Sequence, residues 1–350
     1  MKYLSHNQWN GHNFPNFYNR VISEDFDKII ICCQNEWQWY NHDPEYWPKL
    51  QDYCKSIGKP IHVIVGAHER GFPVQLENTI VHYWPTAWFG MVYTNALRKN
   101  DWKVFIDPLE HVNYKYHFCN FNHRSKSHRC KVIDELAKHD IIKNAALSIH
   151  ETEVHTGSLN GGWFHYPWKY FNFNPMELDS EFRTNIHSQI FIVTKYHKES
   201  FCHLVSETTD RAYFITEKTL LPLSAGKPFL VASKQGFHKL LKEMGFELYD
   251  EVFDYAFDDI EDEDKRYELL VDNFKRITEI PLNKLHDLTK LLAPKLIHNK
   301  NRVKEIVYER HRYPSLVHEL IDHYRTTGEE VDHLLIALYN EEEFHRNHEW

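Results

Sequence analysis

Two glutamates and a lysine lie beside a predicted strand-to-helix turn within residues 201–230, which read FCHLVSETTDRAYFITEKTLLPLSAGKPFL. Glu207 follows the predicted strand, and Glu217 and Lys218 fall in the first turn of the predicted helix. At such a turn a carboxylate can accept the hydroxyls of a ribose, while a lysine and free backbone N–H groups can bind a diphosphate. The alternative is structural: Glu217 complements the helix dipole and Lys218 is a solvated surface charge.

The residues around this turn have the pattern of an open α/β sheet. The apolar run 201–205 predicts a buried strand, and the polar loop 206–210 follows its carboxyl end, the edge at which such sheets bind ligands. Thr216 is the predicted N-cap of a helix that ends at Gly226, before the apolar strand 229–232. Glu207, Glu217 and Lys218 are thereby predicted to meet at one sheet edge.

The same segment resembles the donor-binding motif of α-1,3-fucosyltransferases. In that family an F-x-x-x-F-E-N-S segment precedes Y-[IV]-T-E-K-L by a few residues. This chain has V-S-E-T at 205–208 and Y-F-I-T-E-K at 213–218, followed by Leu221 and by G-K-P-F at 226–229. The Thr-Glu-Lys half of the motif carries most of the resemblance.

The resemblance implies a nucleoside-diphosphate sugar as donor substrate. It places Glu217 on the ribose and Lys218 on the phosphates, and it brings Tyr213 and Thr216 into the donor site. It also implies a sugar-facing or ribose-facing role for Glu207. These roles are expectations from the family and do not follow from the spacing.

A basic segment follows another predicted strand, over 114–122. Residues 123–129, HRSKSHR, lead into an amphipathic helix, so basic side chains and helix N–H groups meet as in an anion site. Arg124 and Arg129 are therefore candidates for binding the donor pyrophosphate, with surface cations as the alternative. The N-x-x-x-R pattern at 120–124 resembles one shared by the fucosyltransferases and by glycosyltransferase-like proteins of tailed phages and large viruses.

Strands and helices alternate in two successive stretches, which predicts parallel sheets and an α/β fold. We expect two facing Rossmann-like domains, the glycosyltransferase B architecture, with a helical segment at the carboxyl terminus. The predicted domains are an acceptor domain over 1–110, a donor domain over 111–290 and a helical tail over 291–350 that crosses back to the first domain. The aromatic-rich stretch 151–187 interrupts the alternation, either to stack on sugars or bases or to pack over the core.

The catalytic group is the least constrained part of the prediction. A transfer that inverts the anomeric centre needs a general base for the acceptor hydroxyl, whereas a retaining transfer does not. Glu69 and Glu36 follow the predicted strands 61–65 and 28–33, so both fall at the carboxyl edge of the first sheet. No motif distinguishes them, and both are candidates.

The composition indicates a folded chain of two domains, since 42% of the 350 residues are apolar and 15% are aromatic. We expect a cytoplasmic protein with no membrane partner, because no apolar run is long enough to span a bilayer and the start lacks a secretion signal. The six cysteines are predicted to be buried free thiols. The 26 histidines follow no metal-ligand spacing, so we expect no metal site and no tightly bound cofactor.

These patterns together favour a nucleotide-sugar-dependent glycosyltransferase. The acceptor is open: a hydroxymethylated base of phage DNA, a glycan, a protein or a small molecule. The net charge of −9 disfavours duplex DNA, although a local basic patch could overcome it. The alternatives are a non-catalytic nucleotide or nucleic-acid binding module and a virion or interaction protein that retains the fold.

Overall fold

The structure is a computed structural model of the 350-residue chain. It describes residues 1–7, 14–33, 45–71, 76–89, 113–122, 125–149, 153–155, 163–172 and 194–329. The strands are β1 (Tyr3–Asn7), β2 (Lys28–Cys33), β3 (Ile61–Val65), β4 (Thr79–Tyr83), β5 (Tyr116–Asn122), β6 (Ala145–Ile149), β7 (Glu153–His155), β8 (Trp163–His165), β9 (Ser200–Ser206) and β10 (Phe229–Ala232). The helices are α1 (Phe14–Ser23), α2 (Tyr46–Ser56), α3 (Ser127–Lys138), α4 (Lys195–Glu199), α5 (Glu217–Ser224), α6 (Phe237–Glu243), α7 (Glu263–Thr278), α8 (Leu285–Tyr308) and α9 (Ser315–Thr327).

The chain divides into two compact units. Unit 1 comprises Met1–Thr94, Ala212–Ile215 and Ile306–Trp350, and unit 2 comprises Asn95–Arg211 and Thr216–Glu305. The domain boundary predicted near residue 110 falls outside the described residues. The three predicted domain ranges and their roles stay predictions.

Unit 1 contains a four-stranded parallel sheet in the order β1-β2-β3-β4. Its central strands are apolar because both faces are covered: Ile29, Ile30 and Ile61 are completely buried. Helix α9 covers one face, where Leu316 and Leu320 join a core cluster with strand residues and Trp84. A segment far along the chain therefore completes the core of the amino-terminal sheet.

Unit 2 contains a four-stranded parallel sheet in the order β10-β9-β5-β6. The chain first passes from β5 to β6 on one side and later adds β9 and β10 on the other. The direction of the connections thus reverses between β5 and β9. Two parallel sheets with alternating helices confirm the α/β, Rossmann-like class.

The described part of the aromatic-rich stretch packs on unit 2. Tyr166, Trp168 and Phe171 lie against a buried cluster that includes Cys130 and Leu147. The Asp134 carboxylate on α3 accepts the backbone N–H groups of Tyr170 at 2.8 Å and Phe171 at 2.9 Å. For Tyr166, Trp168 and Phe171, packing over the core accounts for the aromatic side chains.

Other features of the described residues bear on the sequence predictions. All six cysteines are buried thiols that form no disulfide, as predicted. Burial raises the pKa of the Cys54 and Cys130 thiols to about 12, so both are protonated at neutral pH. No helix in the described ranges is both long enough and apolar enough to cross a membrane.

Three buried side-chain donors that follow β4 have no acceptor within the described residues: Trp84 Nε1, Thr86 Oγ1 and Trp88 Nε1. We expect Thr86→Val to raise the free energy of unfolding by about 1 kcal/mol, because it removes an unsatisfied buried hydroxyl at constant volume. The same change at buried Thr289 is the matched control, since Thr289 Oγ1 pairs with Tyr114 Oη at 2.7 Å and donates to Leu285 O. Denaturant unfolding should show opposite signs for the two variants, and a loss of stability in Thr86→Val would contradict the assignment.

Candidate functional site

The candidate site lies in unit 2 at the carboxyl ends of β5 and β9, where the strand order reverses. Parallel α/β sheets leave a crevice at such a switch point because the helices that follow the two strands pass to opposite faces. Buried polar residues end these strands: Asn120 and Asn122 on β5, and Ser206 on β9 followed by Glu207. The sheet of unit 1 has no such reversal among its four described strands.

The Glu207 carboxylate is completely buried and accepts four hydrogen bonds. Its Oε1 accepts the Thr216 backbone N–H at 3.0 Å and the Thr219 hydroxyl at 2.6 Å. Its Oε2 accepts the Thr208 N–H at 2.9 Å and the Thr216 hydroxyl at 2.7 Å. The loop after β9 is thereby tied to the start of α5.

The Glu207 carbonyl oxygen binds the start of α3. It accepts His128 Nε2 at 2.9 Å and Arg129 Nη2 at 3.0 Å. Burial first, and then the neighbouring guanidinium, lower the pKa of His128 to about 3. The ring is therefore neutral at pH 7 and donates its Nε2–H to the carbonyl. Arg129, predicted to bind a pyrophosphate, is 3% exposed and has this partner inside the protein.

Two lysines meet at Thr208. Lys126 Nζ donates to the Thr208 carbonyl at 2.6 Å, and Lys218 Nζ donates to its hydroxyl at 3.2 Å. Both side chains are partly exposed. Since two ammonium groups on one residue repel each other, an anion bound beside Thr208 would be favourable.

Glu217 and Lys218 open α5 as predicted. Thr216 is the N-cap, and its hydroxyl accepts the Lys218 backbone N–H at 3.3 Å. Glu217 is 7% exposed and forms an ion pair with Lys218 Nζ. A carboxylate with one partly exposed cation retains oxygen lone pairs for a hydroxyl donor.

Two backbone N–H groups at the start of α5 have partners inside the protein. The sequence suggested that free N–H groups there bind a diphosphate, but the Thr216 N–H donates to Glu207 and the Lys218 N–H to the Thr216 hydroxyl. The reason is that Glu207 supplies a carboxylate from within the chain at the positive end of the helix dipole. An anion at this position would meet the lysine side chains rather than these two N–H groups.

Two asparagines extend the site along β5. Asn122 Nδ2 donates to Asn120 Oδ1 at 2.5 Å, and Asn120 Nδ2 donates to Leu204 O at 2.7 Å and to Ser206 Oγ at 3.1 Å. This chain fixes the orientation of both amides. It leaves Asn122 Oδ1 buried with no partner in the described part of the protein. A buried unsatisfied acceptor at a sheet edge is typical of a site that a ligand or water completes.

Of the four remaining predicted residues, the structure describes Tyr213 and Glu69. Tyr213 belongs to unit 1, where its carbonyl accepts the His68 N–H at 2.8 Å. Glu69 is exposed in a short 3₁₀ turn after β3, also in unit 1. Arg124 and Glu36 lie outside the described residues.

Lys126, Asn120, Asn122 and His128 were not predicted from the sequence. The two asparagines had a signal, since they alternate at the end of an otherwise apolar strand and so point to one face of the sheet. Lys126 had no signal beyond its basic segment, because its contact with Thr208 joins residues 82 positions apart.

A metal site has no support in the part of the chain that the structure describes, where no three His, Cys, Asp or Glu side chains are grouped to bind an ion. The chain was also compared with known proteins. No family model, no curated protein and no solved structure matches it. The features that indicate a function are therefore the geometry at the switch point and the resemblance of residues 205–229.

Proposed function

We propose that the protein is a glycosyltransferase that uses a nucleoside-diphosphate sugar, with the donor bound in unit 2. The observation that carries the proposal is the grouping of Glu217, Lys218 and Lys126 around Thr208, at the carboxyl edge where the strand order reverses. A carboxylate for ribose hydroxyls and two ammonium groups for a diphosphate match the two parts that every such donor shares.

The residues would act by stabilising the leaving group. The acceptor hydroxyl oxygen forms a bond to the anomeric carbon, the bond from that carbon to the phosphate oxygen breaks, and the nucleoside diphosphate departs with the electron pair. Lys126 and Lys218 would balance the charge that develops on the diphosphate. In an inverting transfer the hydroxyl proton passes to a base, for which Glu69 and Glu36 are the candidates.

The finer architecture and the acceptor belong to the same proposal. We place the two Rossmann-like units in a glycosyltransferase B arrangement, with the acceptor on unit 1. The acceptor is a hydroxyl group of a modified DNA base, a glycan, a protein or a small molecule. The net charge of −9 favours an acceptor other than duplex DNA.

Donor binding tests the proposal. In a thermal-shift screen with UDP, GDP, CDP, TDP and their sugars, one nucleotide should stabilise the wild type, because a ligand that binds only the folded state raises its stability. Lys218→Met and Lys126→Met should each weaken that binding about 10- to 100-fold, the effect of losing a hydrogen bond to a charged group. Lys242→Met, at an exposed position of α6, is the matched control and should bind as the wild type does.

The alternative functions predict different results in this screen and in an assay of nucleotide-sugar consumption. A non-catalytic binding module would bind a nucleotide but consume no nucleotide sugar with any acceptor offered. An interaction protein would show no shift with any nucleotide. Equal affinity in the wild type and in both lysine variants would place the ligand elsewhere and contradict the site.

A further inference from the structure

We infer that Glu207 is a positioning residue of the donor site: it holds the lysine pair and Glu217 in place and does not itself contact the ribose or the sugar. The inference deepens the proposed function and rests on it for the identity of the ligand. It differs from the role that the family resemblance implies for Glu207.

The oxygens of Glu207 have no capacity left for a ligand. An ionised carboxylate offers about four lone-pair sites. Four donors already occupy them, from Thr208, Thr216 and Thr219, at 2.6 to 3.0 Å. The residue is also 0% exposed. A ribose hydroxyl could bind here only by displacing one of these bonds.

The hydrogen bonds of Glu207 connect the segments that carry the proposed donor-binding residues. Its carboxylate binds the N-cap Thr216, next to Glu217 and Lys218, and its carbonyl binds His128 and Arg129 at the start of α3. These contacts join the starts of two helices to the loop after β9. The next residue, Thr208, is the one that both lysines contact. A displacement of Glu207 would therefore move every group that we assign to the donor.

Glutamine at this position tests the bonds with little change in volume. Its amide has one oxygen and one NH₂ group, so either Thr216 N–H or Thr208 N–H would face a donor. The threonine hydroxyls can rotate to accept, but a backbone N–H cannot. Glu207→Gln should thus loosen the loop or the helix start without opening a cavity.

Inorganic pyrophosphate separates positioning from ribose contact, because it has the phosphates of the donor and no ribose. Titration calorimetry should show that Glu207→Gln weakens the binding of pyrophosphate about 10-fold, and that of UDP or GDP, whichever the wild type binds, at least as much, because Glu217 moves together with the lysines. Glu217→Gln should weaken the binding of the nucleotide and should not weaken that of pyrophosphate, because it removes the ion-pair partner of Lys218 and no phosphate contact. The inference is overturned if Glu207→Gln weakens the binding of the nucleotide and leaves that of pyrophosphate unchanged.

Thr219→Val provides a milder variant in case Glu207→Gln does not fold. It removes one of the four donors at a fully buried position and keeps the carboxylate. We expect about a threefold loss for pyrophosphate and nucleotide together, and an unchanged affinity for both would contradict the inference.

Amide hydrogen exchange gives a readout that needs no ligand. In the free wild type the Thr208 and Thr216 amides should be protected by Glu207, and in Glu207→Gln at least one should exchange about 10-fold faster, with Lys242→Met as the unchanged control. Equal exchange rates would overturn the positioning role. If the wild type binds neither pyrophosphate nor any nucleotide, the proposed function fails, and the exchange rates alone decide whether Glu207 holds this loop.

Discussion

Replacing Leu316 and Leu320 together by alanine is expected to lower the free energy of unfolding of unit 1 by about 6 kcal/mol, since each buried Leu→Ala change costs about 3 kcal/mol. Both side chains are 2% exposed and belong to the core cluster that α9 forms with Ile30, Ile64 and Trp84. A loss of this size is comparable to the whole stability of many domains. Unit 1 should therefore be partly unfolded at 25 °C, with α9 detached from the sheet.

Hydrogen exchange resolved along the chain is the suitable measurement, because it reports each unit separately. Protection should fall in β1 to β4 and α9, while β5, β9 and β10 of unit 2 keep theirs. Asp322→Ala on the same helix is the matched control; its side chain is 71% exposed and its loss should change stability by no more than about 0.5 kcal/mol. If the double variant unfolds like the control, α9 does not complete the core of unit 1.

Lowering the pH from 7 to 5.5 is expected to reduce the free energy of unfolding by about 3 kcal/mol, through the buried His128 and His197 and the half-buried His82. Burial is the main cause that lowers the pKa of His82 to about 4 and the pKa values of His128 and His197 to about 3. In the unfolded chain each titrates near pH 6.5. His128 and His197 then each cost about 1.2 kcal/mol over this interval, and His82 costs less because solvent screens it.

The sign follows from proton binding. Between its two pKa values each histidine is protonated in the unfolded chain and neutral in the folded protein, so protons favour unfolding. The stabilisation is fully present above pH 6.5, falls as the pH decreases, and stops changing below pH 3 to 4. Burial also lowers the pKa values of His62, His117 and His203, which adds to the effect in the same direction.

Guanidinium denaturation at pH 7.0, 6.0 and 5.5 would measure this dependence. In the variant His197→Gln the free energy of unfolding should fall by about 1.2 kcal/mol less between pH 7 and 5.5, because one titrating group is removed from a buried position. Paired carboxylates such as Asp258 do not contribute to the change in stability between pH 7 and 5.5. Burial opposes ionisation of the Asp258 carboxyl, but contacts with His238 and Lys239 lower its pKa overall. The carboxylate is therefore protonated only at more acid pH. A stability that is constant from pH 7 to 5.5 would contradict the assignment.

Local sequence patterns were sufficient for the class of fold. The largely apolar runs at 28–33, 61–65 and 201–205 lie in strands, since a short run of this kind is typical of a strand buried on both faces of a parallel sheet. The start of α5 was also predictable, because a threonine N-cap acts on backbone groups two residues away. Interactions of this kind depend on neighbours in the chain and so are visible in the sequence.

The order of the strands was not predictable from such patterns. β5 pairs with β9, whose residues are about 85 positions away, and this pairing creates the reversal at which the candidate site lies. A basic segment in the sequence indicated an anion site but not which cation reaches it. The structure places Lys126 on Thr208 and gives Arg129 a carbonyl partner inside the protein.

Glu207 illustrates the difference between what the sequence determines and what the fold determines. Its position after an apolar strand was sufficient to place a carboxylate at the ligand edge of a sheet. Only the fold determines that its oxygens are occupied, because their donors come from a loop that returns to Thr216 and Thr219. Residue type and spacing thus determine which chemical groups reach the edge of the sheet. Hydrogen bonds between distant segments determine which of those groups remain available to a ligand.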